Sequence, residues 1–60
     1  MEAVYKCDTG EQFDLIVGQH SRSQMFLDIQ DLDLDLETGV HLSRSQAENL
    51  AAQLLKFANS

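Results

Sequence analysis

Sixty residues carrying ten acidic and four basic side chains, for a net charge of -6, exclude a large multidomain enzyme. They also exclude a direct binder of nucleic-acid backbone, which needs clustered Lys and Arg. A single cysteine, Cys7, excludes an internal disulfide, and with two histidines little is left for a structural metal site.

A chain this short buries only about 60% of its unfolded surface, and the usual staples of small domains are missing, so a homodimer is the expected source of further stability. The 43% hydrophobic content opposes disorder. The start, Met1 to Lys6, has no basic cluster followed by an apolar run, and no stretch approaches the roughly 18 apolar residues of a membrane span. One domain over 1–60, no membrane partner and a cytoplasmic location are therefore expected, the host cytoplasm if the chain is phage-encoded.

The first expected strand is Ala3 to Cys7. Asp8-Thr9-Gly10-Glu11 carries the residues of a tight reversal, leading to a second strand, Phe13 to Val17. Period-two alternation sets Phe13, Leu15 and Val17 on one face and Asp14 with Ile16 on the other. Gly18 to Ser23 reads as a polar loop.

From Gln24 to Leu36 the apolar parity changes midway. Met25, Leu27 and Ile29 are odd, whereas Leu32, Leu34 and Leu36 are even and Asp31, Asp33 and Asp35 take the odd places. A one-residue slip exchanges the faces of a sheet, so a β-bulge or short break is expected near Gln30-Asp31. The rival is a two-faced strand whose second apolar side meets a partner chain. Glu37-Thr38-Gly39 reads as a further turn before a short extended segment, Val40 to Leu42.

Ser43 and Gln46 have the spacing of a capping box, with Leu42 and Ala47 placed as a hydrophobic staple. Ala47, Leu50, Ala51, Leu54, Leu55 and Ala58 then form a helical apolar stripe, with Phe57 at its edge and Glu48, Asn49, Gln53 and Lys56 opposite. The spacing predicts a helix over about Arg44 to Ala58. The fold class is α+β: a small antiparallel sheet of three to four strands, β-β-β-(β)-α, packed by one C-terminal amphipathic helix. Ser-Arg-Ser-Gln occurs twice, at 21–24 and 43–46, but opens a strand once and a helix once, so it is no structural repeat.

The acidic run carries the main functional expectation. On a strand, Asp31, Asp33, Asp35 and Glu37 would share one face at intervals of roughly 6.6 Å, an outline like the phosphates of one nucleic-acid strand. That pattern suits a partner-binding face docking on a larger, basic protein. An inhibitor or nucleic-acid-mimicking regulator of the phage or mobile-element anti-defence type fits by size and charge. The bland reading makes the same aspartates the wet side of an amphipathic strand.

Asp31, Asp33 and Asp35 also match the first, third and fifth positions of a calcium loop, but Leu36 and Leu42 occupy the places that need glycine and a bidentate carboxylate. His20, Ser21, Arg22 and Ser23 form a loop that suits a small anion such as a nucleotide, the alternative being a plain surface loop. Cys7 reads as a small apolar strand-end residue, and His41 is expected to face away from Val40 and Leu42. No motif for nucleophilic, acid–base or phosphate chemistry is present, so no enzyme, metal or cofactor is expected. A structural, self-associating role completes the expectations.

Overall fold

The computed structural model describes residues 2–60. Strands β1 (Glu2–Lys6), β2 (Phe13–Gln19), β3 (Gln24–Asp31) and β4 (Leu36–Ser43) form an antiparallel meander in the order β1-β2-β3-β4, and α1 (Arg44–Ala58) follows. This is the expected α+β order, with the optional fourth strand present.

The β1–β2 hairpin closes where its turn residues predict. Gly10 takes φ 81, a backbone region that costs glycine nothing. Its amide donates to the Cys7 carbonyl at 3.2 Å, and the Cys7 amide donates to Phe13 at 3.2 Å. β2 then continues through Gly18 to Gln19 instead of entering a loop at Gly18. Gly18 stands opposite Phe26, and a Cβ there would lie 2.5 Å from Phe26 Cζ. The glycine makes room for an aromatic ring laid across the strand.

The parity change is a hairpin. β3 ends at Asp31, residues 32–35 turn, and β4 begins at Leu36 paired with Asp31. A four-residue turn moves the inward set from odd numbers to even ones, which a bulge within one strand was expected to do. Asp31 closes the turn: its Oδ1 accepts from the amides of Asp33 and Leu34, each at 3.1 Å, as aspartate commonly does at a reversal. Asp35 adopts φ 53. Glu37-Thr38-Gly39 forms no turn but lies inside β4, where Gly39 faces Asp28.

Register and alternation give the sheet two unlike faces. One carries the rows Tyr5–Leu15–Ile29–Thr38 and Ala3–Val17–Leu27–Val40, flanked by Phe13–Asp31–Leu36 and Gln19–Met25–Leu42. The other carries Lys6–Asp14–Gln30–Glu37, Val4–Ile16–Asp28–Gly39 and Glu2–Gly18–Phe26–His41. The first face is apolar and the second largely polar.

Helix α1 starts as expected. Ser43 Oγ accepts from the Gln46 amide at 3.2 Å and Gln46 Oε1 accepts from the Ser43 amide at 2.9 Å, completing the capping box. The helix does not, however, lie over the sheet. Ala47 and Leu50 are half-buried, and every residue from Ala51 onward is exposed; Leu54 is 59% and Phe57 81% accessible.

Among the described residues no hydrophobic side chain is buried. The chain exposes 5145 Å², where a folded monomer of 6.7 kDa exposes about 3,900 Å². Its radius of gyration, 12.7 Å, exceeds the roughly 10.4 Å expected of 60 residues folded on themselves. Both measures say that helix and sheet are associated side by side, not stacked.

Candidate functional site

The meander sorts charge to opposite ends of the sheet. The β1–β2 and β3–β4 turns lie at one end, which gathers Asp8, Glu11, Asp31, Asp33 and Asp35. The β2–β3 turn and the β4–α1 junction lie at the other, bringing Arg22 and Arg44 together. Sequence reasoning saw the acidic run but not this polarity, which needs the strand order to become visible.

At the acidic end, Asp33 and Asp35 are exposed and Asp31 half-buried. Asp33 and Asp35 lie in the turn and Asp31 at its edge, so the even carboxylate ladder expected of a strand is replaced by a turn tip. Glu37 is separated from them: it stands on the polar sheet face of β4, opposite Gln30. There the Asp28 carboxyl, hydrogen-bonded to Glu37 and repelling it when both are charged, raises Glu37 above the ordinary carboxylate range, helped by partial desolvation and by Glu2. A diagonal neighbour on an adjacent strand is within reach of such an interaction.

The same polar face contains the most buried side chain. Asp14 is 7% exposed, its Oδ2 accepting from Lys6 Nζ at 2.9 Å, while Oδ1 is buried without a partner among the described residues. The lysine itself is largely in water, with 74% side-chain exposure. This is a one-sided ion pair: the carboxylate bears the desolvation and the ammonium stays hydrated.

At the basic end, the loop residues His20, Ser21, Arg22 and Ser23 satisfy much of their own polarity. The His20 and Ser21 amides both donate to Gln24 at 3.0 Å, the Ser23 amide donates to Ser21 Oγ at 3.3 Å and Gln19 Nε2 donates to the Ser21 carbonyl at 2.9 Å. His20 turns back to stack on His41, with ring centroids 4.6 Å apart. His41 thus lies on the polar face, away from Val40 and Leu42 as alternation requires.

Ser21, Arg22 and Ser23 border an open groove of 440 Å³ whose floor is Ala3, Val17, Met25, Leu42 and Ala47. Arg44 and Glu2 stand on its rim. The groove is the angle between the apolar sheet face and the departing helix. A second, shallower depression of 350 Å³ lies on the same face over Leu15, Leu27, Ile29 and Val40.

Cys7 is a half-buried free thiol. Its Sγ lies 3.2 Å from Thr9 Oγ1, and hydrogen bonds from the Thr9 side chain and backbone pull its pKa below the ordinary thiol value. Among the described residues no group of three or more His, Cys, Asp or Glu side chains converges as metal ligands would, and no helix is long and apolar enough to cross a membrane. Val4 is exposed on the polar face, where its neighbour Ile16 is half-buried.

No protein-family model, no curated protein and no solved structure matches this chain.

Proposed function

We propose that this chain is a small acidic, non-enzymatic protein-interaction module, whose working surface is the apolar sheet face together with the stripe of α1. The observation that carries this reading is that eleven large hydrophobic side chains are exposed while, among the described residues, none is buried. Exposed apolar surface on this scale marks an association site on a folded protein. The net charge of -6 favours basic partners and raises the rate of encounter with them. Asp33 and Asp35, exposed on their tip beside Asp31, are the carboxylates that would meet such a partner, Glu37 lying apart on the polar face; a regulator or inhibitor docking on a larger protein is the expected use. The location proposed for this work is the cytoplasm.

The test combines mass with an apolar dye such as anilinonaphthalene sulfonate. A working apolar surface is either occupied, giving a scattering mass above the 6.7 kDa of one chain, or free, giving dye fluorescence. A folded monomer that binds no dye contradicts the reading.

A second reading is favoured by one feature, the placement of Arg22 and Arg44 on a groove with an apolar floor. It takes the groove as a site for a small anionic ligand such as a nucleotide, shared between two subunits. A melting-temperature rise that grows with nucleotide concentration supports it; no rise at millimolar nucleotide removes it.

A further inference from the structure

We propose that the occupant of the apolar surface is a second copy of this chain, seated with its strands reversed, so that each α1 lies on the partner's apolar sheet face and each Arg22–Arg44 end meets the partner's acidic tip. The proposal rests on the reading of the chain as an interaction module and names the partner that this surface takes first.

Area is the first argument. The 5145 Å² exposed by the chain exceeds the expectation for its mass by about 1,200 Å². Two such surfaces closing on each other remove about 2,400 Å², within the range of about 2,000–5,000 Å² typical of obligate homodimers. The surplus of one chain is thus the amount that one symmetric interface needs.

Shape is the second. A 15-residue helix is about 22 Å long, and a strand of eight residues such as β3 about 26 Å, so the partner's helix is of a length to span the open face. Its stripe of Leu50, Leu54, Ala47 and Ala58 is periodic, as a buried helix surface is. Its own sheet is met only near the groove that Ala47, Met25 and Leu42 line. In a two-fold arrangement both unmet surfaces are satisfied at once, because each chain supplies one of each kind.

Charge is the third and fixes the direction. Arg44 and Lys56 against Glu48 give α1 a charge of +1, so residues 1–43 carry -7. Most of these charges lie off the two apolar faces, so the direction of seating is set by the ends of the sheet. Within the sheet, Arg22 and Arg44 lie at one end and Asp31, Asp33 and Asp35 at the other. Parallel stacking would put acid on acid; reversal puts each arginine pair beside the partner's tip. Glu2 shares the arginine end and Lys6 the acidic end, but the net charge at each end still favours the reversed arrangement.

Sedimentation equilibrium of the full chain and three variants tests this. The wild type should have twice the mass of one 6.7 kDa chain at micromolar concentration. Leu54→Gln, a change at a side chain exposed within the single chain, should shift the protein to monomer with its circular dichroism retained. Arg44→Glu and Asp33→Arg should each weaken the dimer about tenfold, every contact being repeated by the two-fold axis, and the double variant should recover most of that loss. Arg44 is the first helical residue, where a carboxylate favours the helix, so weakening in Arg44→Glu is not a folding defect. A dimer indifferent to Leu54, or charge variants without mutual rescue, would overturn the seating. A wild-type monomer that still binds dye would overturn self-association while leaving the interaction-module reading in place; a monomer that binds none would end both.

Discussion

Gly39 lies directly opposite Asp28 across the β3–β4 pair, close enough that a methyl group at Gly39 would collide with the Asp28 carboxylate and the Leu27 carbonyl. The Leu27 carbonyl and the nearby Asp28 Cα belong to the backbone of the neighbouring strand, which cannot move without breaking the ladder. Gly39→Ala should therefore destabilise the chain by about 1–3 kcal/mol, the usual cost of overpacking. For a domain of this size each kcal/mol lowers the melting temperature by about 4–8 °C, which thermal circular dichroism resolves. Gly10 provides the contrast, because a Cβ there meets nothing within 4 Å. Gly10→Ala should cost only the left-handed backbone penalty, about 1–2 kcal/mol.

The ion pair between Lys6 and Asp14 is unequal, and its loss should show that inequality. Removing the lysine leaves a 7% exposed carboxylate with neither oxygen partnered among the described residues. A buried acceptor so abandoned costs about 1–3 kcal/mol. Lys6→Met should therefore lower stability by about that much in urea unfolding at neutral pH, despite preserving most of the side chain's length. Equal stability of variant and wild type would mean that Asp14 draws its partner from elsewhere.

Glu37 offers a pH signature. Its carboxyl, hydrogen-bonded to and repelled by Asp28, titrates in the folded chain above its ordinary value of 4.5. A raised carboxyl means that the fold favours the protonated form, so its contribution is fully present below that value and is lost as pH rises through the folded value. Glu37→Gln should make that contribution independent of pH. The variant should melt higher than the wild type at pH 7, and the gap should close as pH falls toward 4. A gap of the same size at both pH values would assign the effect to packing.

Cys7 should respond to Thr9. The threonine hydroxyl and amide favour the thiolate, the form that reacts with alkylating agents. Thr9→Val removes the side-chain share alone, so iodoacetamide labelling at pH 7 should slow in the variant while the rate at pH 10, where the thiol is ionised in both proteins, stays equal. A difference that persists at pH 10 would indicate altered access instead.

Much of this fold is legible in the residues. Ser43 and Gln46 mark the start of α1 because a capping box is local, and Asp8 to Glu11 mark the first hairpin because glycine there meets a backbone need. The misread positions share one cause. Gly18 and Gly39 look like turn glycines, but both are strand glycines that admit a neighbour, Phe26 in one case and Asp28 in the other. Only the cross-strand pairing reveals that neighbour. Conversely, the β3–β4 reversal is built from Leu32, Asp33, Leu34 and Asp35, whose alternation imitates a strand and which include no glycine or proline. The helix stripe announces that something must cover it, and the surface that does so need not belong to the same chain.

That reversal also decides how the acidic tip is best probed. Asp31 holds the turn through two amide hydrogen bonds to Oδ1 at 3.1 Å, whereas among the described residues the Asp33 and Asp35 carboxylates have no hydrogen-bond partner. Asp31→Ala should therefore destabilise by about 1 kcal/mol, while Asp31→Asn, which keeps an acceptor oxygen, should fold nearly as the wild type. Asp35 occupies φ 53, where asparagine is tolerated and glycine is favoured. Asp35→Gly should hold or raise stability although it removes a charge. Together these variants separate two roles that alanine scanning would merge. If Asp33→Asn and Asp35→Gly weaken association with the basic partner surface at low salt and do not lower the melting temperature, the tip acts through charge. If only Asp31→Ala weakens it, the tip matters as a turn, and its carboxylates are there for water.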